Sequence, residues 1–139
     1  MDADAIVAAL GLQPHPEGGW YREIHRSPAA KGERAAVTAI YYLLKAGERS
    51  HWHRVDADEI WHWHAGAPLE LSLSEDGRFS RALTLGIALA TGARPQIVVP
   101  ARTWQSARSL GGFTLVGCTV APGFEFSGFE MAPPGWQPG

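Results

Sequence analysis

Between Trp20 and Val120 the sequence breaks into short β-branched and aromatic stretches separated by glycine, proline and aspartate. Sixteen glycines and ten prolines in 139 residues leave little room for long helices. The stretches read as strands over Trp20–Arg26, Val37–Leu44, Ser50–His53, Glu59–Ala65, Leu69–Ser74, Phe79–Leu85, Gln96–Val99, Trp104–Arg108 and Phe113–Val120. Glu75-Asp76-Gly77-Arg78 is the plainest hairpin turn among them. One helix is predicted, Ala5–Leu10, capped by Asp2 or Asp4 and stopped by Gly11. Leu12–Gly19, with two prolines and a glycine pair, reads as turn. Many short strands behind one leading helix predict an all-β sandwich or barrel, a single domain over residues 1–139.

Bulk properties narrow the partners. A net charge of −2 offers no basic face for nucleic-acid phosphates. The uncharged run Leu83–Ala93 contains two glycines and is too short for a membrane span. The first residues are acidic and lack a basic region, so no export signal is expected. Cys118 is alone, which fits a buried thiol in a reducing, cytoplasmic setting rather than a disulfide.

The chemistry concentrates in Ser50–Gly66, SHWHRVDADEIWHWHAG, which holds four of the six histidines and three of the six tryptophans. Residues two apart on a strand share a face, so regular pairing puts His51 and His53 together. On the next strand Glu59, Trp61 and Trp63 share one face, and His62 and His64 take the other. If Glu59 joins His51 and His53 inside, then His62 and His64 look outward, toward the surface or an interface. Two imidazoles and a carboxylate suit a divalent metal with open coordination positions. The same groups suit a histidine general base oriented by a carboxylate. Tyr42, Trp61 and Trp63 either fill the interior or line a ligand cleft. Glu17, Arg22 and Glu23 beside the glycine turn read as rim or surface charges, and His15 and His25 as structural.

The segment resembles the first cupin motif, with Gly47, His51, His53, Glu59 and Gly66 at its positions. Gly47 lies two residues closer than that pattern asks, and the His53-to-Glu59 gap is one residue longer. A second cupin motif resembles Gly92–Ser109. There Pro100 matches, Arg102 stands where glycine is usual, Gln105 where the fourth ligand histidine is usual, and Ser109 replaces asparagine. Over most of its length the chain resembles the DUF985 (Cupin_5) subfamily. The matching text is HPEGGWYRE, AIYYLL, SHWHRVDADEIWHWHAGAPLEL, VVPARTWQSAR and LVGCTVAPGFEFSGFEMA. The resemblance implies a double-stranded β-helix, the jelly-roll barrel of cupins, usually dimeric and related in structure to sugar-nucleotide epimerases. It implies a small-molecule ligand in the barrel, with His51, His53 and Glu59 as catalytic or metal-ligating residues. Gln105 is then a fourth donor, and Tyr42, Trp61, Trp63 and Gln105 line the ligand. Three functions stay open: an enzyme acting on a sugar, sugar nucleotide or carboxylate with or without a divalent metal, a non-catalytic binding barrel, and a homodimer whose His/Trp surface serves packing alone.

Overall fold

The computed structural model describes residues 1–139. It contains one helix, α1 (Ala3–Leu10), and eleven strands. In chain order these are β1 (Gln13–Pro14), β2 (Trp20–Arg26), β3 (Thr38–Lys45), β4 (Arg49–Val55), β5 (Asp58–Gly66) and β6 (Leu69–Ser74), followed by β7 (Arg81–Leu85), β8 (Gln96–Val99), β9 (Trp104–Ser109), β10 (Phe113–Ala121) and β11 (Phe129–Met131). They form two antiparallel sheets, β1-β2-β3-β10-β5-β8 and β11-β4-β9-β6-β7. The fold is the expected all-β jelly roll with a short leading helix. No helix is long and apolar enough to cross a membrane.

Alternation explains most of the core. Tyr42 and Leu44 from β3, Trp61 from β5, Leu69, Leu71 and Leu73 from β6, and Val116 and Cys118 from β10 meet between the sheets. The long apolar run in β3 is covered on both sides, as its lack of a polar face predicts. Its outward Leu43 is buried by Ile6 and Leu12, the apolar side of α1 and its exit. Asp2 caps α1 through the Ala5 amide and Gly11 ends it in the left-handed region.

Differences from the sequence reading have local causes. Strand β7 starts at Arg81 rather than Phe79, because Asp76 takes the Arg78 and Phe79 amides and turns Phe79 into solvent. Three bulges interrupt the ladders, between Ser50 and His53, between Glu23 and His25, and opposite Leu115 and Val116. Each inserts a residue that simple alternation does not foresee.

Candidate functional site

At one end of the barrel lies a cavity of about 400 Å³. Its floor holds His15, Glu17, His53, Glu59 and Cys118, and its mouth carries Glu23, Arg26, Phe124, Glu125, Phe126 and Phe129. Ile40, Val55 and Val120 close the apolar sides.

Glu17 reaches the floor because of the glycine pair behind it. Residues 15–19 form a tight loop in which the His15 amide donates to the Gly19 carbonyl and the Gly18 amide to the His15 carbonyl. Gly18 and Gly19 both have positive φ, +108° and +77°. A Cβ on Gly18 would collide with the Arg49 carbonyl, and one on Gly19 would sit 2.9 Å from the Leu43 carbonyl. So the loop lies flush on β3 and β4, and the His51 amide donates 2.8 Å to the Glu17 carbonyl. The Glu17 side chain enters the barrel and accepts from the Ser50 hydroxyl.

His53 Nδ1 lies 2.8 Å from Glu17 Oε2 and 2.7 Å from the His51 carbonyl. With acceptors on both sides, Nδ1 carries the proton. No protein group hydrogen-bonds Nε2, and no fully buried polar side-chain atom lacks a partner. Nε2 therefore opens onto the cavity. Burial opposes charging this ring, but the Glu17 carboxylate outweighs it and raises its pKa to about 9. Burial also opposes the Glu17 charge, and His53 reverses that too, holding Glu17 below the ordinary carboxylate value. The two act as one buried ion pair. His15 behaves differently: its Nδ1 accepts from the Glu17 amide at 3.1 Å, and burial lowers its pKa. Its 3.3 Å approach to Glu17 Oε1 is therefore a contact of a neutral ring rather than a salt bridge.

Glu59 stands on the floor, buried, with its Oε1 accepting 2.9 Å from Gln105 Nε2. Burial is the main cause that raises its pKa, reinforced by the neighbouring Glu17 charge. Gln105 Oε1 in turn accepts 2.9 Å from Trp61 Nε1. The amide is thus held between Trp61 and Glu59, positioning the carboxylate from behind.

The expected residues divide. His53 and Glu59 share the cavity, and Glu59 and Trp61 take the inner face of β5 while His62 and His64 point outward, where His62 meets Thr119. His51 does not join them. In the β4–β9 ladder Ser50 pairs with Ala107 and His53 with Gln105, three residues of β4 against two of β9. The bulge puts Ser50 and His53 on the inside, and His51 swings out. Its Nε2 lies 3.1 and 3.0 Å from the Ala132 and Pro133 carbonyls. Tyr42, Trp61, Trp63 and Gln105 do not line the cavity either. Tyr42 donates to the Gly18 carbonyl, Trp61 packs edge-on against Tyr42, and Trp63 donates to the Ala67 carbonyl. They are the packed wall behind the site.

The metal set fails for the same reason. His51 is turned away and Gln105 points its oxygen at Trp61 behind the cavity wall, which leaves His53 and Glu59 of the four expected donors. No three His, Cys, Asp or Glu side chains stand close enough to share an ion. The donor set does not fit the three-ligand site that cupin metal chemistry uses.

Residues outside the expected set supply the rest. Glu17, read as a rim charge, is the partner of His53; its one signal was a lone acid fixed between Pro16 and two glycines. Strict alternation along β2 would put Arg26 on the face of Trp20, but the bulge after Glu23 brings it to the cavity. There it donates to both Glu23 oxygens, at 2.6 and 3.2 Å, and to the Phe124 carbonyl at 3.0 Å. The Phe124, Phe126 and Phe129 rings pack edge to face, with centroids 5.0–6.0 Å apart. Arg102, where cupins usually have glycine, does keep a glycine-like φ of +67°. It lies beside a separate shallow cleft with Arg54 and Glu130, away from the floor.

Residues 4–132 match the model of the family described as "Cupin superfamily (DUF985)". The chain is a DUF985 cupin. Among solved structures, this cupin is similar to a protein of Shewanella oneidensis, with 41% identity and a TM-score of 0.90 over 95% of this chain and 85% of that one. It is also similar to a hypothetical protein from Leishmania major, with 32% identity and a TM-score of 0.88 over 98% and 90% of the two chains. Oxalate decarboxylase from Bacillus subtilis shares the fold at 12% identity and a TM-score of 0.65, over 85% of this cupin and 29% of the enzyme. No curated protein matches the sequence.

Proposed function

We propose that this cupin binds a small polar molecule in the barrel cavity and transforms it by proton transfer, without a metal. The observation that carries the reading is His53: buried, its Nδ1 locked by Glu17 and a backbone carbonyl, its Nε2 open to the cavity. A carboxylate that fixes the tautomer and orientation of an imidazole is how a general acid or base is prepared. At neutral pH the ring is protonated and donates from Nε2 to a ligand oxygen, a hydroxyl or carbonyl. In this reading Glu59, whose charge is disfavoured by burial, serves as the complementary base. Together they suit an isomerisation or epimerisation beside a carbonyl.

Among the expected substrates, a sugar or other carbonyl compound without negative charge fits better than a sugar nucleotide or a carboxylate. An anion entering the cavity would face Glu59 and Glu125, while Arg26 is already committed to Glu23. Deuterium exchange in D₂O reads the chemistry directly. The wild type should exchange the C–H beside the carbonyl of a bound sugar, and His53→Gln should bind that sugar without exchanging it. Equal exchange by both proteins would remove His53 from the mechanism. Binding without exchange in either would leave the non-catalytic barrel as the function.

The homodimer is proposed through the outer face of the six-stranded sheet. Ile24 and Val98 are exposed apolar groups on strands of that sheet, which also presents His62 and His64. Sedimentation of wild type against Val98→Glu checks it: a dimer that becomes a monomer supports this face.

A further inference from the structure

Charges around the cavity do not balance. Four carboxylates line it, those of Glu17, Glu23, Glu59 and Glu125. Glu17 is matched by His53 and Glu23 by Arg26. Glu59 and Glu125 have no cationic side chain of their own among the lining residues. Outside the lining, Arg34 feels the charge of Glu125, but its guanidinium is held by both oxygens of Asp56. Glu59 is 7% exposed; Gln105 and the Cys118 thiol are its hydrogen-bonding neighbours, and the only positive charge near it is that of His53, which Glu17 already holds. Buried carboxylates are ordinarily paired, so the floor is one positive charge short. A second unsatisfied group points into the same space: His53 Nε2, on a ring only 2% exposed, has no protein partner.

From this arrangement we infer that the ligand is a small amine: an ammonium group pairs with Glu59, an oxygen accepts from His53 Nε2–H, and an apolar body lies against Phe124, Phe126 and Phe129. Aromatic rings at the mouth add to the attraction for a cation on its way in, and Glu125 sits between two of them in sequence. The inference rests on the cavity being a small-molecule site and adds the charge of what it takes. A metal ion is the other way to supply the missing charge, but the donors near Glu59 are too few.

Three probes share one body and differ in one group: 2-amino-1-phenylethanol, 1-phenylethanol and mandelate. Thermal shift and calorimetry at pH 7.5 should rank the amine at least tenfold tighter than the alcohol, with mandelate giving no shift. Glu59→Gln should erase the advantage of the amine and leave the alcohol unchanged. Should Glu59→Gln fold poorly, Glu125→Gln at the half-buried rim should weaken the amine several-fold and the alcohol hardly at all. Equal binding of amine and alcohol would overturn the charge inference while the cavity stands as a ligand site. Preferred binding of mandelate would reverse its sign. Stabilisation by Mn²⁺ or Zn²⁺ that Glu59→Gln abolishes would assign the missing charge to a metal instead. Failure of all three probes to bind would overturn the inference and count against the cavity itself.

Discussion

Glu17 and His53 illustrate how much a single buried contact can decide. The ring's pKa of about 9 lies above its ordinary 6.5, so the folded state holds the proton more tightly than the unfolded chain does. The resulting stability is complete below about pH 6.5 and disappears as pH rises through 9. A loss on the order of 3 kcal/mol across that window is expected. Urea denaturation at pH 6, 7.5 and 9 measures it, and flat stability would contradict the pairing. In Glu17→Gln the charge that holds the proton is gone while burial remains. The His53 midpoint, followed by imidazole NMR, should fall to the ordinary histidine value or below it. Gln105 is a second such contact. Gln105→Leu leaves the Trp61 N–H and a Glu59 oxygen without partners, so about 2–4 kcal/mol should be lost in chemical denaturation. Binding at the cavity should weaken too, because the carboxylate is no longer fixed.

Elements bring these residues together, and they do so by irregularity. The glycine turn at 15–19 places Glu17, and the β4 bulge places His53 beside it. Gly18→Ala puts a methyl against the Arg49 carbonyl at a φ that L-residues rarely adopt. A cost of about 2–4 kcal/mol is expected, with loss of the raised His53 pKa because the loop must lift and carry Glu17 away. If Gly18→Ala were as stable as wild type with the same imidazole titration, the turn would not be what seats Glu17. The β4 bulge also explains why an alternating pattern misassigned His51. Two-residue periodicity holds only while the ladder is regular, and one inserted residue moves every later side chain to the other face.

Over the whole molecule, the outer face of β4 and β9 is covered by the segment from Ala132 to Trp136. Trp136 packs at 6.0 Å from Trp52 and 4.8 Å from Trp104, and Arg54 lies over the Trp104 ring. Ala132 and Pro133 supply the carbonyls that meet His51. His51 and three of the six tryptophans are therefore committed to holding the C-terminal segment on β4 and β9. Trp136→Ala should cost about 2 kcal/mol and shift tryptophan fluorescence to the red as Trp52 and Trp104 meet water. The His53 titration should stay unchanged, since that ring faces the other side of the sheet. A changed titration would mean that the two faces of β4 are coupled.

Nine of the eleven strands, the helix with its caps and the inward set of Glu59 and Trp61 follow from residue order, because alternation, turn residues and capping act over a few positions; the short edge strands β1, inside the stretch read as turn, and β11 exist only through their pairing with β2 and β4. The outward turn of His62 and His64 was legible in the same way. What the order of residues did not carry was which side chains meet across the barrel. Glu17 lies 36 positions from His53, and nothing local distinguishes a carboxylate that will be buried from one in water. Bulges arise from pairing between distant strands, so the displacement of His51 and the arrival of Arg26 were decided only when the two sheets closed around one cavity.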